Sequence, residues 1–186
     1  MVHELRQYTL TPQGWHQYRE LFWTISMPIR GDEHGRLLGC WVEEAEQIFT
    51  FFHLWEYDSL DERTSLRSQL SKDPRWTDNF LPLSRLVVDR QDLKFLNPQF
   101  DIHTVISRDS GQPVYLHAYD CVPGSAIVVT GKLGEKYVWT TECPNPNLVL
   151  CLSHKSFIAE IETLKSADGV KCIKSVSTRK LFSVKA

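Results

Sequence analysis

Two stretches of this chain repeat one pattern, which restricts it to folds built from two copies of one module. Residues 2–14 (VHELRQYTLTPQG) and 114–124 (VYLHAYDCVPG) set Leu5 against Leu116, Tyr8 against Tyr119 and Pro12 against Pro123. Further on, Trp41 falls on Trp139 and Asp58-Ser59-Leu60 on Lys155-Ser156-Phe157, while the runs LSRLVVDRQDLKFL and IKSVSTRKLFSV close the two copies. Two copies are too few, and the period too long, for a solenoid. Each reads strand–helix–strand–strand–helix–strand, the ferredoxin-like pattern of an antiparallel sheet with helices on one face. A second sheet packed against the first covers the other face. The expected fold is therefore α+β: two tandem ferredoxin-like βαββαβ modules packed sheet to sheet as an α/β barrel, a pseudo-dimer. The modules are expected at 1–100 and 113–186, joined by a linker at 101–112, because 97–112 carries one Pro, one Gly and two Ser.

Local signals place the elements. Residues 2–10 alternate, with Glu4, Arg6, Tyr8 and Leu10 on one face. Thr11-Pro12 caps a helix expected to run to about Ile25, with Trp15, Tyr18, Phe22 and Ile25 inward. A turn-rich connection over 27–35 leads to strands over 37–43 and 48–57. Ser59 and Glu62 form a capping box for a second helix with Leu60, Leu66 and Leu70 inward. Asp73-Pro74 restarts helix carrying Trp76, Phe80 and Leu83, and 86–96 reads as the last strand. In the second copy, Pro123 lies 16 positions before Trp139, against 29 from Pro12 to Trp41, so its first helix is lost or reduced. Strands at 136–142 and 148–154, a helix at 156–166 and a strand at 170–184 complete it.

A net charge of −2 offers no broad basic surface, so nucleic acid is not an expected partner. No apolar run approaches the roughly 20 residues that span a bilayer, and the opening MVHELRQYTL reads as a strand rather than a leader, so the cytoplasm is expected. The five cysteines are odd in number and widely spaced, without zinc spacing, and read as reduced packing residues.

At Glu4-Leu5-Arg6-x-Tyr8-x-Leu10 and at His53-Leu54-Trp55-Glu56-Tyr57-Asp58-Ser59-Leu60-Asp61-Glu62-Arg63 the sequence resembles the NIPSNAP family. Met27-Pro28-Ile29-Arg30, Leu37-Leu38-Gly39-Cys40-Trp41 and Asp73-Pro74-x-Trp76 extend the resemblance, which covers about residues 2–100. It implies the dimeric α/β-barrel superfamily, whose members include cofactor-free monooxygenases, isomerases and some haem proteins. It implies no settled reaction.

By period two, Glu4, Arg6 and Tyr8 share one strand face, and His53, Trp55 and Tyr57 share another. If those faces meet, Glu4, Arg6, Tyr8, His53 and Tyr57 are the candidate catalytic residues. Arg6 would clamp a carboxylate or enolate, His53 would be the general acid or base, and Glu4 would orient Arg6. Trp41, Trp55, Met27 and His117 are candidate substrate-binding residues. The competing reading makes Glu4–Arg6 a structural ion pair, His53 a packing residue and Arg63 a solvated or capping charge. In the second copy Tyr115 and His117 stand for Glu4 and Arg6, and Leu150, Leu152 and His154 for His53, Trp55 and Tyr57. A site would then have a polar wall from the first module and an apolar lid from the second.

Two classes of function follow. One is a metal-free small-molecule enzyme of biosynthesis or catabolism that moves a proton on an enolisable or anionic metabolite, by isomerisation, cyclisation or cofactor-independent oxygenation. The other is a non-catalytic binding or scaffold protein, with a haem-binding barrel on His53, His117 or His154 as a lesser alternative. No cofactor is expected otherwise, and the pattern leaves room for a homodimer.

Overall fold

The computed structural model describes residues 1–99, 112–135, 137–156, 164–165 and 169–184. The fold is α+β with antiparallel sheet, in two compact units: Met1–Leu93 with Val184 in the first, and the described residues from Lys94 to Ser183 in the second. The division falls within β4 (Arg90–Pro98), upstream of the boundary expected at 100. The linker expected at 101–112 lies outside the described residues except for Gln112, as does most of the helix expected at 156–166.

The first unit is built on β1 (Val2–Leu10), β2 (Arg36–Glu44) and β3 (Phe49–Tyr57), with β3 between the other two. Thr11 accepts from the Gly14 amide at 3.0 Å and Pro12 opens α1 (Pro12–Leu21), as the cap signal requires. This helix does not stop at Ile25. A π-helical turn, Phe22–Ser26, carries it into α2 (Met27–Arg30), so the first part of the expected 27–35 connection is helical. The wider π turn matches a run of inward residues spaced mostly by four: Trp15, Tyr18, Phe22, Ser26 and Arg30 are all buried.

Ser59 caps α3 (Leu60–Leu70), accepting from the Glu62 amide at 3.0 Å while the Glu62 carboxylate returns to the Asp58 amide at 2.6 Å. The inner face differs from the leucine stripe that was expected, because Leu60 is exposed and only Leu70 is fully buried. After Asp73-Pro74 a second π-helical stretch, Arg75–Phe80, buries Trp76 and Phe80 and leads into α4 (Leu81–Arg85). Leu83 and Leu86 face solvent, and β4 starts only at Arg90 rather than at 86.

The second unit holds β5 (Val114–Cys121), α5 (Ala126–Lys132), β6 (Tyr137–Cys143), β7 (Leu148–Ser153) and β8 (Ile173–Ser183), with strand order β8-β5-β7-β6-β4. Its first helix is cut to the seven residues of α5, so it is reduced rather than lost. Tyr119, Val149 and Cys151 pack there with Val129 and Leu133.

The two registers correct the internal alignment by one residue. In the first unit Arg6 is opposite His53 and Tyr8 opposite Phe51; in the second, His117 is opposite Cys151 and Tyr119 opposite Val149. The counterparts of His53 and Trp55 are thus Cys151 and Ser153, and Leu150 corresponds to Phe52. Trp41 lies opposite Phe52 as Trp139 lies opposite Leu150, so that equivalence holds.

Candidate functional site

A cavity of about 520 Å³ opens on the helical face of the first unit's sheet, and the described residues that line it belong to that unit. Its floor comes from β1 and β3, where the register puts Glu4 beside Trp55, Arg6 beside His53 and Tyr8 beside Phe51. Its wall comes from the helical run through Tyr18, Phe22, Ser26 and Arg30, with Arg67 of α3 and the second π turn's Trp76 and Phe80 completing it. Both π-helical turns therefore face the cavity, where widened turns push side chains inward.

Arg6 is the centre of the polar floor. Its Nε donates to Glu4 Oε1 in a short ion pair, and one Nη donates to the Tyr8 hydroxyl at 2.8 Å. Glu4 is fully buried, and its second oxygen accepts from Arg63 Nε at 2.5 Å. Burial alone would raise the Glu4 carboxyl, but Arg6 and Arg63 hold it below the ordinary carboxylate value. Burial likewise works against the Arg6 charge, and Tyr8 and Glu4 more than restore it. Arg63 is thus a partner of a buried carboxylate rather than a solvated charge. Tyr18 packs edge-on to Tyr8 at 5.6 Å and bonds to its hydroxyl. Burial first, then Tyr8, pushes the Tyr18 pKa well up.

His53 is boxed by aromatic rings, stacked on Phe51 at 4.9 Å with Tyr8 at 4.8 Å and Phe22 at 5.5 Å. Trp55 Nε1 donates to His53 Nδ1 at 2.6 Å, so Nδ1 carries no proton and the neutral ring holds its hydrogen on Nε2. Burial, reinforced by Arg6, Arg30 and Arg67, drives the His53 pKa well below its usual value. His53 Nε2 is buried and meets no partner. The group read from sequence as an acid or base is therefore a fixed neutral donor. The same tautomer disfavours His53 as an axial ligand for haem, since freeing Nε2 would turn an Nδ1 hydrogen against the indole. His117 has Nδ1 at 2.9 Å from Thr178 Oγ1 and Nε2 at 2.8 Å from the Lys155 carbonyl, and His154 is exposed, so haem fits neither.

Among the lining residues absent from the candidate set are Arg30 and Arg67. Arg30 is 2% exposed; its Cζ lies 3.3 Å over the Trp55 ring and one Nη reaches the Tyr57 hydroxyl at 3.1 Å and the His34 carbonyl at 2.8 Å. Its Nε has no partner, and neither has one Nη of Arg67. Burial lowers the Arg30 pKa to about 10, with Tyr57 opposing and Arg6 and Arg67 adding to the drop. Helical spacing carried both signals: Arg30 extends the Tyr18–Phe22–Ser26 row, and Arg67 follows Arg63 by four.

The remaining candidates scatter. Tyr57 does not line the cavity but anchors Arg30, its ring lying against Gly35, and Trp55 sits between His53 and Arg30. Trp41 pairs with Phe52, on the sheet face opposite to Arg6 and His53. Met27 falls one position off the inward row. His117 belongs to the second unit, whose corresponding face is the apolar cluster of Tyr119, Val149 and Cys151.

Comparison with known proteins agrees with the division into two halves. The chain matches the NIPSNAP family model over residues 3–100. NipSnap homolog 3A of Homo sapiens is 34% identical over 93 residues, and NipSnap homolog 3B of Mus musculus 32%. Each match takes in 50% of this chain and 37% of the relative, so the chain spans well under half of those proteins. Among solved structures, protein Atu4242 of Agrobacterium tumefaciens is 29% identical, with a TM-score of 0.51, over 56% of this chain and 99% of its own. A protein with a proposed monooxygenase assignment from Fusobacterium nucleatum covers 99% of this chain and 92% of its own, at TM-score 0.63 and 13% identity. An anthrone oxidase-like protein covers 99% and 91%, at 0.55 and 10%. At those identities the likeness is one of fold alone, and it bears out the α+β barrel class read from the duplicated pattern. With more than half of its length matched by the family model, the chain belongs to the NIPSNAP family.

Proposed function

We propose that the first unit is a small-molecule enzyme that moves a proton on an enolisable substrate. The observation that carries this reading is His53 Nε2–H, a buried, unpartnered donor in a cavity of about 520 Å³ beside Arg6 and Tyr8. A buried donor left without a partner costs about 1–3 kcal/mol, and a substrate oxygen would answer it. In the proposed step, Tyr8, once its own proton has passed to solvent, takes the proton from the carbon beside a carbonyl. The C–H electron pair becomes the C=C bond of an enolate, and the carbonyl pair moves onto the oxygen facing His53. Arg6 holds the Tyr8 oxygen, and Tyr8 returns the proton at the same or another carbon. A neutral imidazole suits this role because it donates without adding a charge that would then need dispersal.

The fold likeness to a proposed monooxygenase and to an anthrone oxidase-like protein is in keeping with chemistry on enolisable compounds. Among the described residues no helix is long and apolar enough to cross a membrane, and the five cysteines are free. Free thiols fit a reducing compartment, for which we take the cytoplasm. The second reading, a binding protein without turnover, draws on a shallow apolar groove between Leu21, Leu83, Leu86 and Val87, where Leu86 is 81% exposed.

The test is deuterium incorporation from heavy water into a panel of small ketones and oxo acids, followed by NMR. Enzyme-dependent exchange that Tyr8→Phe and His53→Gln each reduce by at least about a hundredfold is expected, each removing a group used in the step. No catalysed exchange with any member, in protein that still binds them, would leave the binding reading standing.

A further inference from the structure

The charges around the cavity do not balance: Arg6, Arg30, Arg67, Arg85 and Arg90 line it against Asp89, with Glu4 buried beside Arg6. Arg6 is matched by Glu4, a fully buried carboxylate in direct contact. Arg30 and Arg67 line the same cavity, and among the described residues neither has a carboxylate partner. Trp55 supports the plane of the Arg30 guanidinium, while Tyr57 and the His34 carbonyl fix one Nη, and its buried Nε is left without an acceptor. Arg67 approaches the Trp76 ring at 5.9 Å and leaves a buried Nη without an acceptor. Two orphaned guanidinium donors in one cavity are an arrangement that proteins seldom keep, since each costs about 1–3 kcal/mol unless something supplies an oxygen. The groups also repel one another: burial and then neighbouring cations lower the basicity of both.

Resting on the proton-transfer reading, we infer that Arg30 and Arg67 form a binding site for an acid group, so the substrate is an enolisable carbonyl compound that also carries a carboxylate or phosphate. The acid group brings negative charge to the two cations that have no carboxylate partner among the described residues, and accepts from Arg30 Nε and Arg67. The carbonyl lies at the other part of the floor, between His53 Nε2–H and Tyr8. The charge that develops on the enolate oxygen is then met by donors distinct from those holding the ground-state acid. A site that binds charge at one place and builds it at another spends its strongest ground-state contacts on orientation. Arg30 and Arg67 are substrate-binding residues in this account, not acid–base groups.

Three probes separate the possibilities: acetoacetate, its uncharged methyl ester, and dihydroxyacetone phosphate. All carry an enolisable carbonyl, and they differ in the acid group. Calorimetric titration of the full chain should give an acid at least about tenfold tighter than the ester, the scale of one charge-assisted hydrogen bond. Preference for acetoacetate assigns the site to carboxylates, and preference for the phosphate to phosphate esters. Arg67→Gln should weaken the preferred acid by about ten- to a hundredfold and leave the ester unchanged, with Arg67→Lys recovering part of the loss. Arg30→Gln gives the second measurement, read only in protein whose thermal unfolding remains cooperative. Equal affinity for acid and ester, or an Arg67→Gln variant that binds the acid as well as the parent does, overturns the acid site. Those outcomes are distinct from failure of the proton-transfer reading. If acid binding depends on Arg67 but no deuterium exchange occurs, the site stands and the enzyme reading falls. If exchange depends on Tyr8 but the ester is handled as well as the acid, the reverse holds.

Discussion

Replacing Glu4 by Gln isolates the interaction on which the cavity floor rests. Glu4 is fully buried and Arg6 is 6% exposed, so the substitution leaves a buried guanidinium facing an amide that cannot balance its charge. Removing one partner of a buried pair costs about 3–5 kcal/mol, because the remaining ion keeps its desolvation penalty and loses its compensation. In a chain of this size each kcal/mol lowers Tm by about 2–4 °C, so a fall of about 6–20 °C is expected. Arg63→Gln removes a partner that is 22% exposed and should cost less, about 1–2 kcal/mol. Urea titration at pH 7 measures both, and the double change Glu4→Leu with Arg6→Met should recover at least half of the single-mutant loss, since the buried Arg6 charge leaves with its partner and only the partly exposed Arg63 loses its carboxylate. The pH dependence has a definite sign. The folded-state pKa of Glu4 is depressed, so its contribution is present above its unfolded value near 4.5 and is lost as pH falls through the lower folded value. The gap between parent and Glu4→Gln should therefore narrow below pH 4.5. A loss under about 1 kcal/mol at pH 7, or a double variant less stable than Glu4→Gln, would refute the picture of a charge-compensated floor.

His53 remains neutral when folded but takes a proton when unfolded below its ordinary value of 6.5, so stability should fall as pH drops below 6.5. His53→Gln should flatten that slope by up to one proton, about 1.4 kcal/mol per pH unit, measured by urea titration between pH 7 and 5. Gly35 has φ +99°, and a Cβ there would lie 2.5 Å from the Tyr57 ring. Gly35→Ala should cost about 1–3 kcal/mol by calorimetry and, by moving the hydroxyl that holds Arg30, weaken any ligand of the cavity. Of the five free cysteines only Cys143 is exposed, and burial pushes the Cys40 thiol up to about 12. Native protein should release one equivalent of thionitrobenzoate from Ellman's reagent, and Cys143→Ser none until unfolded.

The sequence alone determined the duplication, the class of fold, the strand faces and the caps at Thr11 and Ser59, because each is written in short-range spacing or in residue types with one local use. It also put Arg6 and Tyr8 on one strand face and His53 on another by period two, and left open whether those faces meet. What the tertiary structure decided was everything that depends on which helical residues face that sheet. A helix expected to end at Ile25 continues through a π turn to Arg30, and the row ending there could be followed only with the helix in place. Arg63 read as a solvated or capping charge and Arg67 drew no reading, because an arginine faces inward only where a buried acid or an anion-sized cavity exists to receive it, and both are made by chain segments far away in sequence. His53 was legible as a candidate residue, but its tautomer was not. The proton sits on Nε2 because the Trp55 indole occupies Nδ1, and a hydrogen bond between neighbours on one strand face becomes visible only when the side chains are placed.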